Sequence, residues 1–155
     1  MQFYLKQRIF TWFDSFDIYH EDGSVAYTVQ GQLSWGHKLE VLDAEGRYLG
    51  MVRERVMTFL PQFEMYQGDE YLGCIYREFT ILRSRFTLDY QGWSLDGDIL
   101  GWDYELRDMQ GRTVATIAKE LWRLGDTYVL DIERPEDAFY VVMAVLAIDC
   151  SRCRN

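Results

Sequence analysis

Residues Ala138-Phe139-Tyr140-Val141-Val142-Met143-Ala144-Val145-Leu146-Ala147-Ile148 carry no charge, and Tyr140 alone among them has a polar side-chain atom. Apolar residues fall on every face of this run rather than on a stripe, so as a helix it has no side to turn to water and must be surrounded. Its start is marked by Pro135, suited to the first helical position, and by Glu136 and Asp137, which complement the positive end of a helix dipole. The run is well short of the roughly 20 residues that cross a bilayer. It is therefore expected to be a core helix, with no transmembrane segment. The rest of the chain has to supply what encloses it.

The preceding residues are punctuated by Gly and Asp and read as short strands. The expected strands are 3–10, 16–20, 25–33, 38–42, 48–55, 62–66, 70–76, 80–90, 93–99, 103–107, 113–120 and 127–132. The aromatic share of 16% and the scarcity of proline, two in 155 residues, favour strands. No linker divides them, so one domain over 1–155 is expected.

The strands repeat internally. Gly31-Gln32-Leu33 aligns with Gly97-Asp98-Ile99, and Leu39–Gly46 with Tyr104–Gly111. Further on, Leu49 matches Val114, Val52 matches Ile117 and Phe63 matches Tyr128. Two units of about six strands would close into one barrel of about twelve. A barrel of that size is wider than the roughly eight-stranded barrel that side chains alone can fill. The helix would fill it. The expectation is a mainly β fold: a closed barrel of about twelve strands around one hydrophobic C-terminal helix.

The chain resembles the LURP-one-related family, whose fold is similar to the tubby C-terminal domain and to phospholipid scramblases. The resemblance rests on Phe16–Gly23, the Leu39–Gly46 hairpin, Gly97-Asp98 with Trp102–Leu106, and Ala118–Ile132 followed by the helix ending Ala147-Ile148-Asp149-Cys150. It implies the same twelve-stranded barrel around a buried helix. Tubby domains bind phosphoinositide head groups through exterior basic side chains, but no residue of that motif carries over to this sequence.

The net charge of −9 argues against nucleic acid as a partner and against anionic surfaces as a default target. The charge is uneven: residues 86–149 balance to −8 and residues 1–85 to −3. The acidic half could face a basic partner, while the first half has room for a basic patch. Arg53 and Arg55, Arg77, and Arg83 and Arg85 are the candidates. Arginines two apart on a strand point the same way, and each pair could present two guanidinium forks to a phosphate. Glu54 and Glu78 are the expected neutralising groups.

No catalytic residue emerges. His20 falls beside an expected turn and His37 in one, Gly36-His37-Lys38, and no nucleophile elbow, phosphate loop or HExxH motif occurs. Cys150-Ser151-Arg152-Cys153 lacks the second ligand pair that structural zinc wants, so it reads as an unpaired tail. Neither metal nor cofactor is expected. Three cysteines suggest a reducing compartment, and Met1–Arg8 shows no leader pattern, so a cytoplasmic location is expected, with peripheral membrane contact as an alternative. The expected function is a non-enzymatic binding or scaffold module for a protein or small ligand. The alternative is binding of anionic phospholipid or phosphoinositide head groups through the arginines.

Overall fold

The computed structural model describes residues 1–6, 15–34, 36–79, 84–98, 103–120 and 127–153, except for the side chains of 33, 34, 77–79, 84–86, 98, 152 and 153. Twelve strands form one antiparallel sheet. They are β1 (Gln2–Lys6), β2 (Ser15–His20), β3 (Val25–Ser34), β4 (Gly36–Asp43), β5 (Tyr48–Glu54), β6 (Gln62–Gln67), β7 (Glu70–Phe79), β8 (Ser84–Asp89), β9 (Ser94–Asp98), β10 (Asp103–Arg107), β11 (Thr113–Glu120) and β12 (Thr127–Ile132). A 3₁₀ turn, Pro135–Asp137, leads into α1, Ala138–Cys153.

The strand order is β8-β7-β6-β5-β4-β3-β2-β1-β12-β11-β10-β9. Each strand from β1 to β7 pairs with the next in sequence, as does each from β9 to β11, and β1 returns to pair with β12 through Phe3↔Leu130 and Tyr4↔Val129. The sheet thus runs almost full circle. Among the described residues no ladder joins β8 to β9, so the barrel is nearly closed, with a seam between those two strands.

The repeat is visible in the hydrogen bonds of two turns. Asp43 Oδ1 accepts from the N–H groups of Glu45 at 3.0 Å and Arg47 at 2.8 Å, and Oδ2 accepts from Arg47 Nε at 2.7 Å. Asp108 does the same with Gln110 at 2.9 Å, Arg112 at 2.9 Å and Arg112 Nε at 2.9 Å. In each turn the glycine, Gly46 or Gly111, sits at positive φ and donates to the aspartate carbonyl. An acceptor two and four residues ahead of the donors is why aspartate opens both turns.

Inward side chains alternate along the strands, with Val29, Val41, Phe63, Ile75, Leu106, Ala115 and Ile117 wholly buried. The helix lies among them. From Val141 to Ser151 every residue is buried, on all sides of the helix, as its charge-free sequence requires. Its sixteen residues span about 24 Å. The helix also continues beyond Ile148. Asp149, Cys150 and Ser151 are buried helical residues, and Ser151 Oγ donates to the Ile148 carbonyl at 2.7 Å. The expected loose tail is therefore corrected: Cys150 is a core thiol, and Cys153 belongs to the helix backbone. No helix among the described residues is long and apolar enough to cross a membrane.

Candidate functional site

With the interior occupied by α1, the chemistry open to a partner lies on the outside of the barrel. Among the described residues, the densest group of interacting polar side chains there is on β5 and β6. In the register Arg53↔Glu64, with Val52↔Met65 and Glu54↔Phe63 on either side, the two strands place Arg53 and Glu64 together on the outer face. Arg55 follows the end of β5 and still donates its backbone N–H to the Gln62 carbonyl at 2.9 Å. Both guanidinium groups turn onto one carboxylate: Arg55 Nε lies 2.7 Å from Glu64 Oε1, and Arg53 Nη2 lies 3.3 Å from Oε2. The Tyr66 hydroxyl donates to the same Oε2. Arg53 also stacks over the Tyr66 ring at 5.4 Å, and Tyr66 meets Tyr71 edge-on at 5.6 Å.

Burial pushes the Glu64 carboxyl up, but the hydrogen bonds from Tyr66, Arg55 and Arg53 outweigh it and hold the group below the ordinary glutamate range. The same bonds raise Arg55 and the Tyr66 phenol. On the same face, Cys74 stands opposite Glu64 across β6 and β7, and burial pushes its thiol up. Glu64 is thus an ion-paired carboxylate that draws on the charge of both arginines. This corrects the expectation for Glu54. That residue is on the opposite face, buried, where Oε2 accepts the backbone N–H of His37 at 3.1 Å. The Glu78 side chain lies outside the described residues.

The remaining arginines are placed less fully. Arg83 lies outside the described residues, as do the side chains of Arg77 and Arg85. The backbone puts Arg77 on β7 opposite Phe86 and Arg85 on β8 opposite Glu78. Strands β5 and β8 are separated by β6 and β7, about 14 Å across the sheet. The two arginine pairs are therefore on non-adjacent strands.

Beside the cluster, the β5–β6 connection carries a feature that the sequence reading left between the expected strands 48–55 and 62–66. The run Val56-Met57-Thr58-Phe59-Leu60 projects Met57 and Phe59 wholly into solvent, at 101% and 100% exposure. Met57 adopts φ +64°, a conformation that costs a residue with a side chain about 1–2 kcal/mol. The base of the loop is fixed by Thr58 Oγ1 donating to the Arg55 carbonyl at 3.2 Å. A mainly apolar run between two strands, too short for a strand of its own, was the available signal.

His20 ends β2, as expected beside its turn, and packs edge-on against Phe3 at 5.3 Å. His37 is a strand residue instead of a turn residue and lies on β4 beside Glu54. The adjacent Asp22 carboxylate is taken up by the Ser24 N–H at 2.9 Å and the Ser24 hydroxyl at 2.6 Å. Trp93 is buried against Tyr90, while Trp12, Trp35, Trp102 and Trp122 lie outside the described residues.

Comparison with known proteins fits this architecture. The family model described as LURP-one-related matches residues 1–149. The chain belongs to the LURP-one-related family. Among curated proteins, this LURP-one-related chain is similar to the uncharacterized protein YxjI of Bacillus subtilis (strain 168). The two are 26% identical over 151 residues, covering 96% of this chain and 92% of YxjI. The X-ray structure of an Arabidopsis thaliana protein superposes with a TM-score of 0.66 at 16% identity, covering 96% of this chain and 89% of that one. That likeness shows the fold: a twelve-stranded, nearly closed antiparallel barrel with one C-terminal helix.

Proposed function

We propose that this LURP-one-related domain is a non-enzymatic, cytoplasmic binding module that engages a protein partner through the β5–β6 loop and the adjoining outer face of β5–β7. The observation that carries the reading is the full exposure of Met57 and Phe59 beside Arg53, Arg55, Tyr66 and Tyr71. Covering a Phe or Met side chain is worth about 1.5–3 kcal/mol each. Tyrosine and arginine around such anchors make up the composition of contact hot spots. Because Arg53 and Arg55 share Glu64, the surface is closer to balanced in charge than the arginines alone suggest. The interior, where a wide barrel could otherwise take a ligand, is filled by α1.

The test places p-benzoylphenylalanine at Phe59 or at Met109, irradiates cells and analyses the adducts. Met109 is a suitable control because it is also exposed, at 78%, but on the β10–β11 turn at the opposite end of the barrel. A discrete protein adduct from position 59 and none from 109 is the expected result. Equal labelling at both, or none at 59, would count against this surface.

The alternative occupant is an anionic phospholipid or phosphoinositide head group, and the exposed loop also favours it, since Met57 and Phe59 beside two tyrosines suit a lipid–water boundary. Sedimentation with phosphatidylcholine–phosphatidylserine vesicles at low salt distinguishes it. Wild-type binding that falls with Arg53→Ala/Arg55→Ala supports the lipid reading, and absence of wild-type binding removes it.

A further inference from the structure

The β5–β6 loop holds a second pattern besides its apolar side chains. From the end of β5 the chain runs Arg53-Glu54-Arg55-Val56-Met57-Thr58-Phe59. Thr58 is the one serine or threonine of the sequence with arginine both three and five residues before it, and an aromatic residue follows it directly. Arginines at those offsets, with an apolar residue after the hydroxyl, are what arginine-directed serine/threonine kinases select. The reason is physical. Planar guanidinium forks pair with carboxylates lining the kinase groove, and the next side chain enters an apolar pocket.

The fold presents this pattern at the surface. The Arg53 and Arg55 side chains are about half exposed, and Phe59 is wholly exposed. Beyond the 2.9 Å bond from Arg55 N–H to the Gln62 carbonyl, residues 56–61 belong to no strand. A kinase takes its substrate as an extended segment, and Met57, at φ +64°, would leave a costly conformation on being drawn out. The Thr58 hydroxyl must first give up its bond to the Arg55 carbonyl, 3.2 Å long.

We propose that Thr58 is a phosphorylation site for an arginine-directed serine/threonine kinase, and that its phosphate takes Arg55 from Glu64. Thr58 Oγ1 attacks the γ-phosphorus of ATP, and the new O–P bond forms as the bond to the β,γ-bridging oxygen breaks. ADP leaves, and the hydroxyl proton passes to the kinase's catalytic carboxylate. The product changes the loop in two ways. Oγ1 becomes an ester oxygen with no proton to donate, so the fastening to the Arg55 carbonyl is lost. The phosphate also brings about −1.5 to −2 charges and three acceptor oxygens, against the single charge of a carboxylate. Arg55, now 2.7 Å from Glu64 Oε1, turns to it, while Arg53 stays with Glu64 and the Tyr66 hydroxyl. One consequence rests on the partner reading above: a dianion between Met57 and Phe59 makes covering them costly, so phosphorylation releases the partner.

The test treats the purified domain with the protein kinase B catalytic domain and Mg²⁺–ATP, beside a synthetic peptide of residues 51–62, and locates phosphate by mass spectrometry. The folded domain should gain phosphate at Thr58, lose it with Thr58→Val, and gain it at least tenfold more slowly with Arg53→Lys/Arg55→Lys. Modification of the peptide but not of the folded domain, or an unchanged rate in the lysine variant, would overturn the site. Phosphorus NMR reads the arginine: the phosphate should titrate at lower pH in the folded domain than in urea, and Arg55→Ala should remove the difference. Equal titration in both states would overturn the capture by Arg55. Crosslinking from p-benzoylphenylalanine at Phe59 reads the partner, with the adduct kept in Thr58→Val and lost in Thr58→Glu. An adduct kept in Thr58→Glu would overturn release. An adduct missing even without a change at Thr58 would strike the partner reading alone, since the mass and phosphorus measurements involve no partner.

Discussion

Leu146 offers the sharpest test of the enclosed helix. Its side chain is 1% exposed near the middle of α1, and the residues flanking it, Val145 and Ala147, are as buried. Truncation to alanine removes three carbons from a site walled by strands, where the surroundings have little room to collapse. Large-to-small changes of this kind cost about 3–5 kcal/mol. At roughly 2–4 °C per kcal/mol for a domain of this size, Leu146→Ala should lower Tm by about 6–20 °C. Phe59→Ala removes more apolar surface, but from a side chain already in water, so it should stay within about 0.5 kcal/mol of wild type. Leu146→Asp should abolish cooperative folding, because a carboxylate there has neither partner nor solvent. Circular dichroism melts and urea titrations of the three variants measure all of this. A Leu146→Ala midpoint within 2 °C of wild type, or a soluble Leu146→Asp that melts cooperatively, would refute the enclosed helix.

Acid should weaken the β5–β6 cluster. Glu64 titrates below its ordinary value of 4.5 when folded, so its contribution is fully present above that pH and is lost as pH falls through the folded value. Glu64→Gln should flatten the acid limb of a urea midpoint-against-pH curve, and an unchanged limb would mean that the ion pairs add nothing. Asp43→Ala and Asp108→Ala should lower Tm by similar amounts, since the two turns share one bonding scheme; a loss confined to one would break the equivalence of the repeats. Gly50→Ala should be poorly tolerated, because a Cβ there would stand 2.1 Å from the Tyr66 carbonyl oxygen. Overpacking of this sort costs about 1–3 kcal/mol, measurable as a lower urea midpoint.

Much of the fold was legible because it depends on local pattern. The helix announced itself through eleven uncharged residues, and the turns through aspartate and glycine at fixed offsets. The strands 103–107, 113–120 and 127–132 were placed to the residue. The outward pairing of Arg53 with Arg55 was also readable, since alternation fixes the face of a strand. Their shared partner was not. Glu64 reaches them through the register of β5 on β6, and that register depends on the shape of the loop between, which alternation does not encode. For the same reason Glu54, adjacent in sequence, was the wrong neutralising group: one position along a strand is the other side of the sheet. The helix end was misplaced because Asp149 and Ser151 look like surface residues, whereas the barrel encloses them. The open seam could not be foreseen either, for the Gln91-Gly92 turn reads as an ordinary hairpin.

The order of the strands has a consequence for how the protein is made. Ten of the eleven ladders join strands adjacent in sequence and can form as the chain lengthens. The eleventh, β1 on β12, and the packing of α1 both require residues from the last part of the chain. Until Thr127–Cys153 has been synthesised, the inward faces of the earlier strands have nothing to close upon, and the free edge of β1 has no neighbour. A ribosome stalled just before that point would carry an open apolar trough. Loss of even the final two turns of the helix should therefore resemble failure to fold, and the cell's chaperones would meet this domain until its helix has emerged.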